Sequence, residues 1–297
     1  MTKKQLILAL AILTQCISSI VSQEPIPASE FDQLVLGATI LSLADAKDVF
    51  KDAEVKLPAK AGVILAEVTA HGPAHNAGLT KMDVIIRINK TPVTSVDEFK
   101  AAVKSLDPSK ECELTGYRAI QSKAGKVSWK RGSVKTTPVK LRDLFLNAMR
   151  TKADEVRETV SYTHRDSTEF VNTSSEFYCY VMTSKNSKPT LRLHIQYVAE
   201  DWLFVRRFTI KAGESTFALD ASDLGAVERD NDGGKIWEWY DRPVEPKLKE
   251  MLLTVIKSSS GILRFEGDKY QKDIPISDDD RGRLTAVMAL HEILSNE

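Results

Sequence analysis

The sequence predicts an α+β chain of two domains. Three features carry that expectation. A strand, a helical turn and a buried strand follow one another between Gly62 and Asn89. A capped amphipathic helix runs from Ser95 to Leu106, and from Val160 onward strand-like segments are followed by helices. A length of 297 residues suits about two domains. The 42% hydrophobic and 28% charged content supplies ordinary cores under a polar surface. The 41 basic and 41 acidic side chains cancel, which excludes nucleic acid as the main partner, because neutralising phosphates needs a cationic face.

Residues 1–22 read as a signal peptide. Lys3 and Lys4 form its positive end, Leu6 to Leu13 its apolar core, and Ile20 and Ser22 the −3 and −1 positions of a cut after Ser22. The apolar run is shorter than the roughly 20 residues a membrane span needs. A lipoprotein site would require a small residue before Cys16, where Gln15 stands. The expected location is therefore secreted or periplasmic. Residues 23–30, Gln-Glu-Pro-Ile-Pro-Ala-Ser-Glu, form a flexible lead-in.

The first domain is expected over 31–138. Leu34 to Leu43 is its first apolar segment, followed by a helix from Ala44 to about Glu54 with Val49 and Phe50 as apolar contacts. Gly62 to Val68 is a strand that breaks at His71-Gly72-Pro73-Ala74. Ala74 to Leu79 is a small-residue helix, and Asp83 to Asn89 a buried strand. Ser95 and Glu98 form a capping box, and Phe99, Ala102, Val103 and Leu106 share one helical face. Leu114 to Ile120 and Val127 to Val134 read as a hairpin around Ala124-Gly125. Beyond Pro138, the spacing of Leu141, Leu144, Phe145, Ala148 and Met149 predicts a linker helix over 139–157.

The element order of Gly62–Asn89, continued by Pro92-Val93-Thr94-Ser95-Val96-Asp97-Glu98-Phe99, resembles a PDZ domain of the bacterial HtrA/Deg type, without the protease domain. The resemblance implies a β-barrel or sandwich with two helices that captures peptides by strand addition. Such capture needs a free sheet edge, donors for a carboxylate and a side-chain pocket. The donor loop would be Leu36-Gly37-Ala38, the edge strand Ala38 to Leu43, and the opposite wall the helix Val96 to Leu106. The implied peptide-binding residues are Leu36, Gly37, Ala38, Thr39 and Ile40, with Phe99, Ala102 and Val103 lining the groove. Implied partners are protein C-termini or unfolded apolar peptides. Ala38 is smaller than the branched residue usual there. Met82 replaces the glycine before Asp83, and Lys90 the glycine after Asn89, so both turns must adopt φ > 0 with side chains present.

The second domain is expected over 158–297 as an antiparallel-sheet α+β domain of unknown function. Phe177 to Met182 pairs with Leu191 to Tyr197 across a Lys185-Asn186-Ser187-Lys188 turn. Trp202 to Ile210 and Ser215 to Leu219 form a hairpin around Ala212-Gly213. Lys235 to Tyr240 and Gly261 to Phe265 are strands, and Leu248 to Ile256 and Asp278 to Leu294 are helices. Asp201-Trp202-Leu203-Phe204-Val205, with Leu263 to Gly267, resembles C-terminal regions of uncharacterised secreted bacterial proteins, which attaches no activity to it.

No catalytic motif is found. A chymotrypsin-like domain would need well over a hundred residues bearing His, Asp and Ser ahead of the peptide-binding domain, and His291-Glu292 lacks a second histidine at helical spacing. A serine–lysine dyad has no marker. His71, His75, His164, His194 and His291 read as ordinary residues. Glu228, Asp230, Asp232 and Gly233 have the opening spacing of a calcium loop, but Trp239 holds the place of its final acid, and a hairpin turn over Asp230–Gly234 explains them better. No metal and no cofactor is expected. Cys112 and Cys179 fall in different domains and read as buried thiols. Asp278-Asp279-Asp280 after Ser277 suits a helix start. Trp202, Trp237, Trp239 and Tyr240 are read as core, with a groove-lining use for one of them as the alternative. The basic residues from Arg118 to Arg142 (Arg118, Lys123, Lys126, Lys130, Arg131, Lys135, Lys140 and Arg142) could touch anionic polymers or lipid headgroups, but a solvated face is the preferred reading. The favoured function is a non-enzymatic adaptor. The alternatives are an accessory or regulatory subunit of an envelope serine protease, or an enzyme with activity in the second domain.

Overall fold

A computed structural model describes residues 34–296, except 53–54, 70–71, 122–126, 186 and 224 and the side chains of 48, 49, 52 and 121. The expected signal peptide and lead-in, His71, Lys123, Lys126, the Ala124-Gly125 turn and the Val49 contact lie outside the described residues. The chain divides into two compact units, the first ending at Ala148 and the second starting at Met149.

In the first unit, β1 (Leu34–Val35) and β2 (Ala38–Ser42) lead directly into α1 (Leu43–Asp52). The Ser42 hydroxyl accepts the Asp45 N–H at 2.9 Å, capping that helix and ending the strand. β3 (Val63–Val68), the short α2 (Pro73–Asn76), β4 (Val84–Ile88) and β5 (Thr91–Pro92) follow. Then come α3 (Val96–Lys104), β6 (Cys112–Gln121), β7 (Val127–Thr136), β8 (Val139–Lys140) and α4 (Leu141–Asn147). The main sheet has the order β2-β3-β4-β6-β7, all antiparallel, and β1 pairs with β8.

β3 is buried on both faces because its side chains alternate between two cores. Val63 and Leu65 join Leu36, Phe99, Ala102 and Val103 under α3. Ile64 joins Leu43 and Phe50 on the other face, where Trp129 meets Phe50 edge-on and donates to the Lys56 carbonyl at 2.9 Å. Asp83, 3% exposed, takes a bidentate pair from Arg118 at 3.0 and 2.7 Å, so one of the basic residues is structural.

Both turns that lack the family's glycine carry positive φ. Met82 has φ 76°, as expected; in the second turn the left-handed residue is Asn89, at φ 53°, and not Lys90. Asparagine tolerates that conformation, and its Oδ1 accepts the Glu113 N–H at 2.8 Å. The capping box on α3 is altered: Ser95 Oγ accepts the Glu98 N–H at 3.2 Å, but the Glu98 carboxylate takes the N–H and hydroxyl of Thr94, at 2.8 and 2.6 Å.

The linker helix over 139–157 is a correction. Only Leu141–Asn147 is helical; Val139–Lys140 is a strand, and Met149–Asp154 is β9, which opens the second unit. The apolar spacing was set by two neighbouring elements, with Leu144 buried from the short helix and Met149 buried from the strand.

The second unit has β9, β10 (Thr159–His164), β11 (Glu176–Ser184), β12 (Ser187–Ala199), β13 (Arg207–Ala212) and β14 (Ser215–Asp220). It continues with β15 (Glu228–Asp232), β16 (Lys235–Pro243), α5 (Pro246–Lys257), β17 (Gly261–Glu266), β18 (Gln271–Pro275) and α6 (Asp278–Ser295). Two antiparallel sheets form, β15-β16-β12-β11-β10-β9 and β14-β13-β17-β18, where the sequence led to one. Aromatic contacts join them: Phe208 lies 5.4 Å from Tyr240, and Tyr197 5.5 Å from Phe265. The expected strand start at Trp202 is a second correction. Leu203, Phe204 and Val205 each donate an N–H at 2.8 Å to the buried Glu238 carboxylate, which holds Phe204 at φ 57° and delays the strand to Arg207. The Asp230–Gly234 segment is the expected hairpin, and a Ser277–Asp280 capping box starts α6.

Gly116 sits opposite the irregularity between Ile85 and Arg87, where a Cβ would lie 1.7 Å from the Val84 carbonyl oxygen. Gly116→Ala should lower the stability of this unit by about 3 kcal/mol, measured as a lower urea midpoint. A wild-type midpoint would contradict the close approach.

Candidate functional site

The corner between β1 and β2 is fixed from behind. The Leu36 carbonyl accepts the Ala74 N–H at 2.8 Å, and the Gly37 carbonyl accepts the Thr69 N–H at 2.9 Å. Gly37 has φ 68°, a conformation that glycine adopts without steric cost. A Cβ there would approach Leu144 Cδ1 and Pro73 Cδ to 3.2 Å each, so α4 and α2 back the corner on that side. Leu36 inserts on the other side, into the core under α3. Among the described residues, no main-chain acceptor outside the ladder takes the Gly37 N–H.

Among the described residues β2 is a free sheet edge, and the hydrogen bonds at its two ends set its phase. With Thr69 donating to Gly37 and Leu43 donating to Gly62 at 2.9 Å, the residues between alternate in direction. Ala38, Ile40 and Ser42 therefore point their own N–H and C=O groups away from β3, toward the open side. An extra residue in β3, Ala66, keeps the alternation across the register shift.

The expected binding residues divide accordingly. Ala38 and Ile40 combine outward main chain with half-buried side chains that pack toward the α3 core. Thr39 is a correction: by alternation its main chain faces β3, and its side chain lies on the face away from α3. Phe99, Ala102 and Val103 are 7%, 8% and 4% exposed and hold α3 onto Leu36, in the cluster against which Ala38 and Ile40 pack. Ser42 was missed as a site residue. Its pairing with Asp45 three residues later, a helix-start spacing, marks where the edge ends.

The two margins of this sheet differ in charge. β7 carries Lys130, Arg131 and Lys135, which oppose pairing with another chain; β2 reads Ala-Thr-Ile-Leu-Ser, with no charge. Among the basic residues, Lys135 lies 3.8 Å from Glu111.

The second unit contains a polar cluster that the sequence did not signal. On one face of the large sheet, His194 Nδ1 lies 3.1 Å from Asp241 and Nε2 lies 3.1 Å from Gln196 Oε1. Gln196 is fixed by donating to the Ser174 carbonyl at 2.6 Å. Arg192 Nε donates to Asp241 at 2.7 Å, and the Tyr180 hydroxyl donates to the same carboxylate at 3.0 Å. Burial and then the Asp241 charge push Tyr180 up to about 12. For Asp241, burial acts upward, but the His194 hydrogen bond and the Arg192 charge outweigh it and hold the carboxyl below its ordinary value. Both ring nitrogens of His194 are thus engaged, one by Asp241 and the other by Gln196. The cluster cross-links β11, β12 and β16. His291 Nε2 donates to the Pro189 carbonyl at 3.2 Å, and burial pushes the imidazole below its ordinary value.

Among the described residues, no group of three or more His, Cys, Asp or Glu side chains is arranged to hold a metal. Cys112 and Cys179 are buried free thiols, each pushed up by burial. Trp237 is 7% exposed and belongs to the core, and Trp239 is half-buried.

A family model described as PDZ domain matches residues 35–129, about a third of the chain. The chain therefore contains a PDZ domain, a module that binds peptides or protein C-termini. No curated protein matches the chain.

Asp241→Ala should cost about 2 kcal/mol at neutral pH, because it leaves His194 and Arg192 without their carboxylate in a mostly buried setting. A depressed carboxyl stabilises the fold above its unfolded value near about 4 and loses that contribution as pH falls through the folded value. The gap between wild type and variant in urea unfolding should therefore shrink below about pH 4; a gap that widens in acid would contradict the pairing.

Proposed function

We propose that the protein is a secreted or periplasmic, non-enzymatic PDZ protein that binds C-terminal or extended apolar segments of other proteins by strand addition to β2. The observation that carries this reading is the uncharged free edge Ala38–Ser42, whose alternate main-chain groups point outward beside the left-handed corner at Gly37. A ligand strand pairs with Ala38, Ile40 and Ser42. Its terminal carboxylate lies against the N–H groups of Gly37 and Ala38. Its apolar side chain enters beside Ala38 and Ile40, above the core that Phe99, Ala102 and Val103 anchor.

The likeness to HtrA-type domains supports this use of the Leu36-Gly37-Ala38 loop. The Lys3-Lys4 end, the Leu6–Leu13 core and the Ser22 site support export. Each charge-assisted bond to the carboxylate contributes about 1.5–3 kcal/mol. With one small pocket adding the rest, affinities of about 1–100 μM follow.

Calorimetric titration with C-terminally apolar peptides, as free acids and as amides, tests the reading. The free acid should bind at least about tenfold tighter, one charge-assisted bond's difference. Equal binding of the two forms would remove the carboxylate from the account, and no binding of either would remove the peptide.

A further inference from the structure

Among the described residues, six strands form the margins of the three larger sheets, and four of them carry charges that oppose further pairing. β7 has Lys130 and Arg131, β9 has Arg150 and Lys152, β15 is acidic with one arginine, and β18 has Lys272 and Asp273. Among these described margins, β2 and β14 do not follow this pattern. β14 reads Ser-Thr-Phe-Ala-Leu-Asp, with its single charge at its end.

We infer that β14 is a self-association edge, pairing antiparallel with β14 of a second copy about a two-fold axis at Ala218. The phase comes from its neighbour. β13 and β14 meet in a two-residue turn with Ala212 opposite Ser215, and Ala221 donates to the Arg206 carbonyl at 2.8 Å. Thr216, Ala218 and Asp220 accordingly turn their N–H and C=O groups away from β13. Self-pairing at Ala218 sets Ala218 opposite its own copy and Thr216 opposite the second copy's Asp220, each pair exchanging an N–H and a C=O across the axis.

The side chains are complementary to themselves in that register. Phe217 and Leu219, half-buried on the face shared with Ile210 and Phe208, fall opposite each other's counterparts. Asp220 falls opposite Thr216, and the next position in the row is Lys211, so an acid meets a hydroxyl with a cation behind it. No like charges oppose. At the axis stands exposed Ala218, small enough for two strands to close. A cleft of about 550 Å³ runs beside the strand, walled by Tyr240, Leu248 and Met251, and receives the partner's apolar side chains. A two-fold contact of this kind is isologous and closes at the dimer.

Sedimentation velocity of the full chain over about 1–100 μM tests the inference. Wild type should pass from monomer to dimer within that range. Ala218→Lys and Ala218→Glu each oppose like charges at the axis and should weaken the dimer about fivefold or more, with circular dichroism unchanged because Ala218 is exposed in the monomer. An equimolar mixture of the two variants should dimerise again, since lysine then meets glutamate. A wild type that stays monomeric to the top of the range overturns the inference. So does a dimer indifferent to both substitutions, or a folded mixture that remains monomeric.

Discussion

A strand at the margin of a sheet leaves every second N–H and C=O without a partner, and such groups must meet water, a covering element or another chain. This constraint organises the first unit around β2. The strand is short, uncharged and half-buried along its whole length, and it is bounded by two devices that fix its ends. At one end Gly37 turns the chain through a left-handed corner, pinned by Thr69 and backed by Leu144 and Pro73. At the other, the Ser42 hydroxyl starts α1 at once. Between them the phase of three outward residues is set by bonds that face the opposite way. The core beneath α3 keeps the strand from moving, so a ligand would meet a preformed edge with little ordering left to do.

Much of this was legible in the sequence, and particular residues show why. Gly62–Asn89 announced its strand, turn and strand through a break at Gly72-Pro73 and apolar runs on each side. Met82 was readable as a strained turn residue because it precedes Asp83 where glycine would be easier, and it has φ 76°. The strands at Phe177, Leu191, Lys235 and Gly261 and the closing helices followed from alternation and helical spacing. What failed did so where one spacing served two elements. Leu144 and Met149 are both buried at helical distance, yet a strand begins at Met149. Thr39 was assigned to the edge by its place in a family pattern, and the pleat turns its main chain toward β3, which no single-residue pattern announces.

The second unit was less readable because its chemistry is non-local. Glu238 sits in a strand and looks like a surface acid. Only the fold brings the N–H groups of 203–205 and the Arg229 guanidinium to its carboxylate. The same holds for Asp241, which gathers His194, Arg192 and Tyr180 from two neighbouring strands. Buried carboxylates of this kind cost desolvation and are retained only when every lone pair is met. They fix strand order and loop shape. The charges on β7, β9, β15 and β18 work at the margins in the same direction, limiting which edges can accept a neighbour.

Amide hydrogen exchange resolved by NMR, with and without a C-terminally apolar peptide, examines the β2 edge most directly. The amides of Ala38, Ile40 and Ser42 should gain protection on binding, while Thr39 and Leu41, already bonded to β3, change little. Protection that appears elsewhere and leaves those three amides unchanged would contradict strand addition at this edge.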